Sequence, residues 1–225
     1  IWGGYLPNDN EYDNKDRDDL HFEHNWNITD QWSTNLEFNH ASDKDYFSDF
    51  NSSPNSKTDL NLRRAWELNY KNGIPGLKAQ LKVEDFQTLD ETIEDKDKPY
   101  ARLPQFLLNY VTGNPQGLQY EFNNDTAYFK KSINDGSALE SSGTRIYNQF
   151  AVRYNYITPS WFYAIPELSV RTINTFYDQD TKEGLGLSAS DDLEKSVVVP
   201  QFTFATGVTF EKDGKYTGVD LEIFE

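Results

Sequence analysis

Leu60-Asn61-Leu62-Arg63-Arg64-Ala65-Trp66-Glu67-Leu68-Asn69-Tyr70, a turn through Lys71-Asn72-Gly73-Ile74-Pro75-Gly76, and Leu77-Lys78-Ala79-Gln80-Leu81-Lys82-Val83 decide the fold class. Leu60, Leu62, Trp66, Leu68 and Tyr70 share one parity; Asn61, Arg63, Glu67, Asn69 and Lys71 share the other. Glycine tolerates positive φ and proline holds φ at about −65°, so the middle segment reads as a turn. Leu77, Ala79, Leu81 and Val83 then resume the apolar row, with Lys78, Gln80, Lys82 and Glu84 opposite. Successive side chains on a strand point to opposite faces, so this is a hairpin with one apolar and one charged face.

The same alternation fills the chain. Leu20, Phe22, His24, Trp26 and Ile28 interleave with polar residues, as do Trp32 to Phe38, Leu103 to Val111, Leu118 to Phe129, Phe150 to Tyr156, Trp161 to Tyr177, Val197 to Phe210 and Tyr216 to Phe224. With the opening strand before Pro7, about eleven strands are expected. Aromatics make up 15% of the 225 residues against only 36% hydrophobic in all, a balance that suits pleated surfaces better than helices. It also argues against disorder, despite the high charge. A net charge of −16 opposes nucleic-acid binding, which needs a basic footprint. The absence of cysteine removes disulfides and thiolate metal sites.

Connection lengths sharpen all-β to membrane barrel. Short turns near Thr29, Gly73, Asn114, Pro159 and Gly214 alternate with long polar connections near Asp13, Ser52, Glu94, Gly136 and Gly186. Outer-membrane barrels have this rhythm, with short periplasmic turns and long extracellular loops. No apolar run reaches the roughly 18–20 residues of a transmembrane helix, but barrel strands need only about 9–11 alternating ones. Trp26, Trp32, Tyr70, Tyr110, Tyr154, Tyr156, Trp161 and Tyr163 gather by the short turns, and Phe86, Tyr100, Tyr128, Phe129, Tyr147, Phe176 and Tyr177 towards the long loops. Two such bands fit interfacial girdles. The expected architecture is a transmembrane antiparallel β-barrel, of which residues 1–225 supply about eleven strands of a larger up-and-down barrel. The remaining strands are expected outside this segment, and Ile1 to Tyr5 reads as the middle of a strand in a longer protein.

Parity assigns Leu, Phe, Val and Trp to hydrocarbon and the charged set to a wet lumen. The expected lumen-lining residues are Arg63, Glu67, Lys71, Lys78, Lys82, Glu84, Arg153, Glu167 and Arg171. Arg64 falls on the lipid parity and fits only if its end of the strand lies at the headgroups. No catalytic, cofactor-binding or metal-binding residue is assigned. His21 and His24 lie on opposite faces of a strand, and Asp9 to Asp19 lacks the glycine and closing glutamate of a calcium loop. There is no Gly-x-Ser-x-Gly elbow, phosphate loop or dinucleotide fingerprint.

Particular words carry a family resemblance. Tyr5-Leu6-Pro7-Asn8-Asp9, Ser42-Asp43-Lys44-Asp45-Tyr46-Phe47-Ser48-Asp49-Phe50, Arg102-Leu103-Pro104-Gln105, Pro200-Gln201-Phe202 and Phe210-Glu211-Lys212 resemble, in order, the barrel of the LptD family, the organic solvent tolerance proteins. The family commonly has arginine where Lys212 stands, and its sequence after that point differs from Tyr216-Thr217-Gly218-Val219-Asp220-Leu221-Glu222. The resemblance implies a bacterial outer-membrane barrel of about 26 strands that inserts lipopolysaccharide into the outer leaflet. It implies an LptE lipoprotein plug, periplasmic bridge components and membrane lipid as partners, with no cofactor and no enzymatic step. On the residues alone, a passive porin, an outer-membrane enzyme on the same scaffold, and a soluble aromatic-rich carbohydrate-binding β-protein remain open.

Overall fold

A computed structural model describes residues 1–50, 61–90, 92–94, 97–131, 141–157, 161–178, 181, 186, 188 and 194–208. They form one antiparallel sheet: β1 (Trp2–Asp9), β2 (Lys15–Asn27), β3 (Trp32–Ala41), β4 (Asn61–Tyr70), β5 (Leu77–Thr88), β6 (Ala101–Gly113), β7 (Leu118–Lys131), β8 (Ser141–Tyr154), β9 (Tyr156–Ile157), β10 (Phe162–Tyr177) and β11 (Lys195–Val208). Each strand from β1 to β7 pairs with the next in sequence, β8 pairs with β10 and β10 with β11, and the two-residue β9 continues β8 past Asn155 to pair with β10 as well. This up-and-down order is that of a barrel wall. Among the described residues no helix is long and apolar enough to cross a membrane.

Eleven strands were expected and eleven are seen, but they are not the same eleven. The expected strand from Tyr216 to Phe224 lies outside the described residues, and β9 takes its place in the count. The first connection also differs. Asn8 to Arg17 reads as a long acidic loop, yet β1 continues to Asp9 and β2 starts at Lys15. Asn8, Asp13 and Asn14 take positive φ of 49°, 56° and 54°, which asparagine and aspartate tolerate best after glycine, so the chain reverses tightly there. Polarity marks where a strand leaves its apolar band, not where pairing ends. The connections after β3 and β5, by contrast, are long: the first runs over 42–60 and the second over 89–100.

In the opening hairpin Trp66 faces Val83, Leu68 faces Leu81 and Glu67 faces Lys82 across the strands. Directly opposed residues share a face, so both parities hold across the pair. Asn72 and Gly76 carry the turn at φ of 61° and 77°. Among the described residues the buried apolar cluster is small, Ala41, Tyr46, Phe47, Leu62 and Leu89 with Trp2 against it, and it lies under the short helix α1 (Tyr46–Phe50). Trp66, Phe106, Phe122, Phe150, Leu168, Phe202 and Phe204 stay exposed. A single sheet with rows of exposed large apolar side chains is what a lipid-facing wall requires.

Candidate functional site

The cross-strand register gathers most of the charged residues of β3 to β10 onto one face, Arg64, Asp85 and Lys130 lying on the other. Arg63 stands between three carboxylates: Nε donates to Glu84 at 2.8 Å, Nη1 to Glu37 at 2.6 Å and Nη2 to Glu67 at 2.8 Å. Glu84, only 4% exposed, also accepts from Arg102 at 2.7 Å and has Lys82 Nζ at 3.5 Å. Farther along, Arg153 bridges Glu121 on β7 and Glu167 on β10, the latter at 3.3 Å. Arg145 reaches Asp125 at 3.6 Å. Each of these carboxylates meets a cation, and for the buried Glu84 that offsets much of the cost of taking it from water.

Between these two clusters lies a band of amides. Gln80 donates to Asn69, and Asn109 to Asn123, each at 2.7 Å. Asn123 passes the chain on to Glu121 at 2.7 Å, and Gln105 donates to Asp125 at 2.7 Å. The band borders a hollow of about 660 Å³ whose rim includes Lys71, Lys78 and Tyr147.

The sequence-expected set therefore falls on one face but does not act as one group. Arg63, Glu67, Lys82 and Glu84 form the first cluster, and Arg153 with Glu167 half of the second. Lys71 and Lys78 stand at the hollow and make no ion pair among the described residues. Arg171 lies opposite Gln149 and Val199, and its Nε is buried with no hydrogen-bond partner among the described residues. Glu37, Arg102, Glu121, Asp125 and Arg145 complete the network and were missed, though the alternation already placed Glu37 and Glu121 on the polar parity.

A second feature sits at the long-loop end. Arg17 is 2% exposed and binds Asp43 through two bonds, Nε–Oδ2 at 2.9 Å and Nη2–Oδ1 at 2.8 Å. Its Nη1 meets Asp49 at 2.9 Å and Asp9 at 3.2 Å, and its guanidinium lies over Tyr12 and Phe50 at 4.4 and 4.9 Å. Thus the acidic stretch from Asp9 and the Tyr-Phe word around α1 fold onto one cation. Burial would raise the Asp43 carboxyl, but bonds from Arg17 and Ser42 together with Arg17's charge hold it below the ordinary range. Burial, then a bond to Asp19, pushes the Tyr46 phenol up. Among the described residues no group of three or more His, Asp or Glu side chains is placed to hold a metal ion. His21 is taken up by Trp2, stacked at 5.3 Å, and by Asn39 at 2.6 Å.

On the opposite face the apolar rows give way to a polar patch near the same end. Arg64 lies three residues into β4, over Phe38 at 4.9 Å, and donates to Gln87 at 2.6 Å and to the Asn39 carbonyl at 2.9 Å. Its neighbours are polar because the row has reached the end of the apolar band.

The aromatic bands need a correction. Trp26, Trp32, Tyr70, Tyr110 and Tyr154 share the apolar face near the short turns. At the long-loop end, however, Phe86 is registered with Arg63, Tyr147 with Asp125 and Tyr177 with Gly143, all on the charged face. Only part of that band is a girdle.

The family described as LPS transport system D, LptD, matches residues 15–221. The chain is similar to the LPS-assembly protein LptD of Acinetobacter baumannii, at 76% identity over 216 residues, covering 96% of this chain and 26% of that protein. It is 68% identical over 218 residues to the protein of the same name from Acinetobacter baylyi, covering 96% and 26%. With that of Psychrobacter arcticus it shares 42% over 224 residues, covering 96% and 24%. The chain spans about a quarter of the length of these curated relatives.

Proposed function

Because this chain belongs to the LptD family, we propose that it forms part of the wall of an outer-membrane barrel that delivers lipopolysaccharide to the outer leaflet. The observation that carries this is the two-faced up-and-down sheet: exposed Leu, Phe, Val and Trp on one side, a paired charge and amide network on the other. In a bilayer every backbone group must be satisfied internally, and a closed barrel does so. Its apolar face then meets lipid and its charged face lines a wet lumen.

Arg63, Glu67, Lys71, Lys78, Lys82, Glu84, Arg153, Glu167 and Arg171 are lumen-lining in this reading. The ion-pair clusters stiffen the wall, while the cations at Lys71, Lys78 and Arg171 remain to meet anionic cargo or a polar plug. The proposed partners are lipopolysaccharide as substrate, an LptE lipoprotein within the lumen, periplasmic bridge components below and membrane lipid outside. Transport of this kind makes and breaks no bond and needs no cofactor, and no residue is given a catalytic part. Depleting the full-length protein from cells should lower newly made lipopolysaccharide at the surface. Unchanged surface lipopolysaccharide overturns the proposal.

A further inference from the structure

Aromatic rings on the wet side of a barrel wall are not explained by interfacial girdles, and the register places several there. Phe129 on β7, Gly143 on β8 and Tyr177 on β10 form one cross-strand row. Ala127, Arg145 and Thr175 form the next row of the same face, towards the short turns. Strands lie about 4.8 Å apart, so Phe129 and Tyr177 stand about 10 Å apart with only a glycine between them. The result is a hollow of about 370 Å³, of the size that holds small ligands.

Its two sides differ in chemistry. Arg145 lies over Phe129 at 4.8 Å, so that side presents a guanidinium held flat by a ring. Among the described residues its one carboxylate partner, Asp125, is 3.6 Å away and already accepts from Gln105 at 2.7 Å. The other side is the Tyr177 ring, and Tyr100 closes the end, edge-on to Phe129 at 6.3 Å. Asp178 is held in place: it accepts from Tyr128 at 2.6 Å and from Ser142 at 2.9 Å. Thr181 exchanges bonds with the Ser142 backbone at 2.8 and 3.1 Å. A site built in advance loses little on binding.

We propose that this glycine-floored slot holds a pyranose ring bearing a phosphate, stacked on Tyr177 with its anion on Arg145. The proposal rests on the transport reading above and deepens it: the slot is a saccharide contact at the long-loop mouth of the lumen. A ring face takes the apolar C–H side of a sugar, and a guanidinium is the preferred donor to phosphate.

The test uses the full-length protein in detergent micelles, with deacylated phosphorylated lipopolysaccharide core oligosaccharide as probe and its dephosphorylated form beside it. Saturation-transfer NMR should show binding. Tyr177→Ala should weaken both probes about tenfold, and Tyr177→Phe should leave them unchanged. Arg145→Gln should abolish the preference for the phosphorylated form. Heat-modifiable gel mobility checks that each variant is a folded barrel. Unaltered affinity in folded Tyr177→Ala, or no binding by the wild type, overturns the slot. If the wild type binds neither probe while depletion still lowers surface lipopolysaccharide, the slot alone falls. If depletion changes nothing as well, the transport reading falls with it.

Discussion

Replacing Arg17 with methionine tests whether one buried cation holds α1 against the wall. Methionine keeps an apolar stem against Tyr12 and Phe50 and removes only the charge and its donors. The side chain of Arg17 is 3% exposed, those of Asp43 and Asp9 are 7% and 11%, and that of Asp49 is 49%. Breaking a buried pair costs about 3–5 kcal/mol because the stranded charge stays desolvated. The half-exposed Asp49 contributes only about 0–1 kcal/mol. The loss is therefore dominated by Asp43, with a smaller share from Asp9. It should appear as local opening rather than as collapse of the barrel, since the strand ladders do not depend on it. Amide exchange at Ser42 and Asp49, whose N–H groups donate to the Asp18 and Asp45 carbonyls at 2.8 and 2.9 Å, should accelerate about 10²–10³-fold. In double-mutant cycles Arg17 should couple to Asp43→Asn by about 2 kcal/mol or more and to Asp49→Asn by less than about 1 kcal/mol. Unchanged protection at 42–50, or equal coupling to both aspartates, refutes the reasoning.

The same contact has a pH signature. The folded-state pKa of Asp43 is depressed below 3.8, so its contribution is present above that value and lost as pH falls through the lower, folded pKa. Proteolysis of 42–50 should be flat between about pH 7 and 5 and rise only below about pH 4; loosening near pH 6 would require a different group. Leu68, opposite Thr34 and Leu81 on the apolar face, should cost about 2–4 kcal/mol as arginine. Glu67→Gln weakens one of Arg63's three carboxylate contacts and should cost about 1 kcal/mol; equal costs in urea unfolding would mean the faces are misassigned. Gly76→Ala forces φ of 77° on alanine and drives its Cβ into the Val111 carbonyl. It should destabilise the β4–β5 end by more than about 1 kcal/mol. Gly73→Ala meets only the Tyr70 side chain and should cost less in the same assay.

The sequence by itself determined which residues share a face and which class of fold results. The alternation through Leu60 to Val83 has a period of two, and cross-strand pairing carries that period from strand to strand, so Leu68 and Leu81, like Glu67 and Lys82, had to share a face. Short turns were legible from Gly, Pro and Asn, because those residues answer local φ demands. Strand ends were not: Asn8 to Arg17 looks like loop because it is acidic, yet β1 runs on to Asp9 and β2 begins at Lys15, which leaves only residues 10–14 as the turn. The partners of each charge were equally hidden. Arg63 gathers Glu37 and Glu84 from two neighbouring strands, and Arg17 gathers Asp43 and Asp49 across the next loop. Those choices depend on register and on where a loop folds back, which local propensity does not contain. The slot between Phe129 and Tyr177 belongs to the same class: only pairing through Gly143 sets the two rings on either side of a glycine.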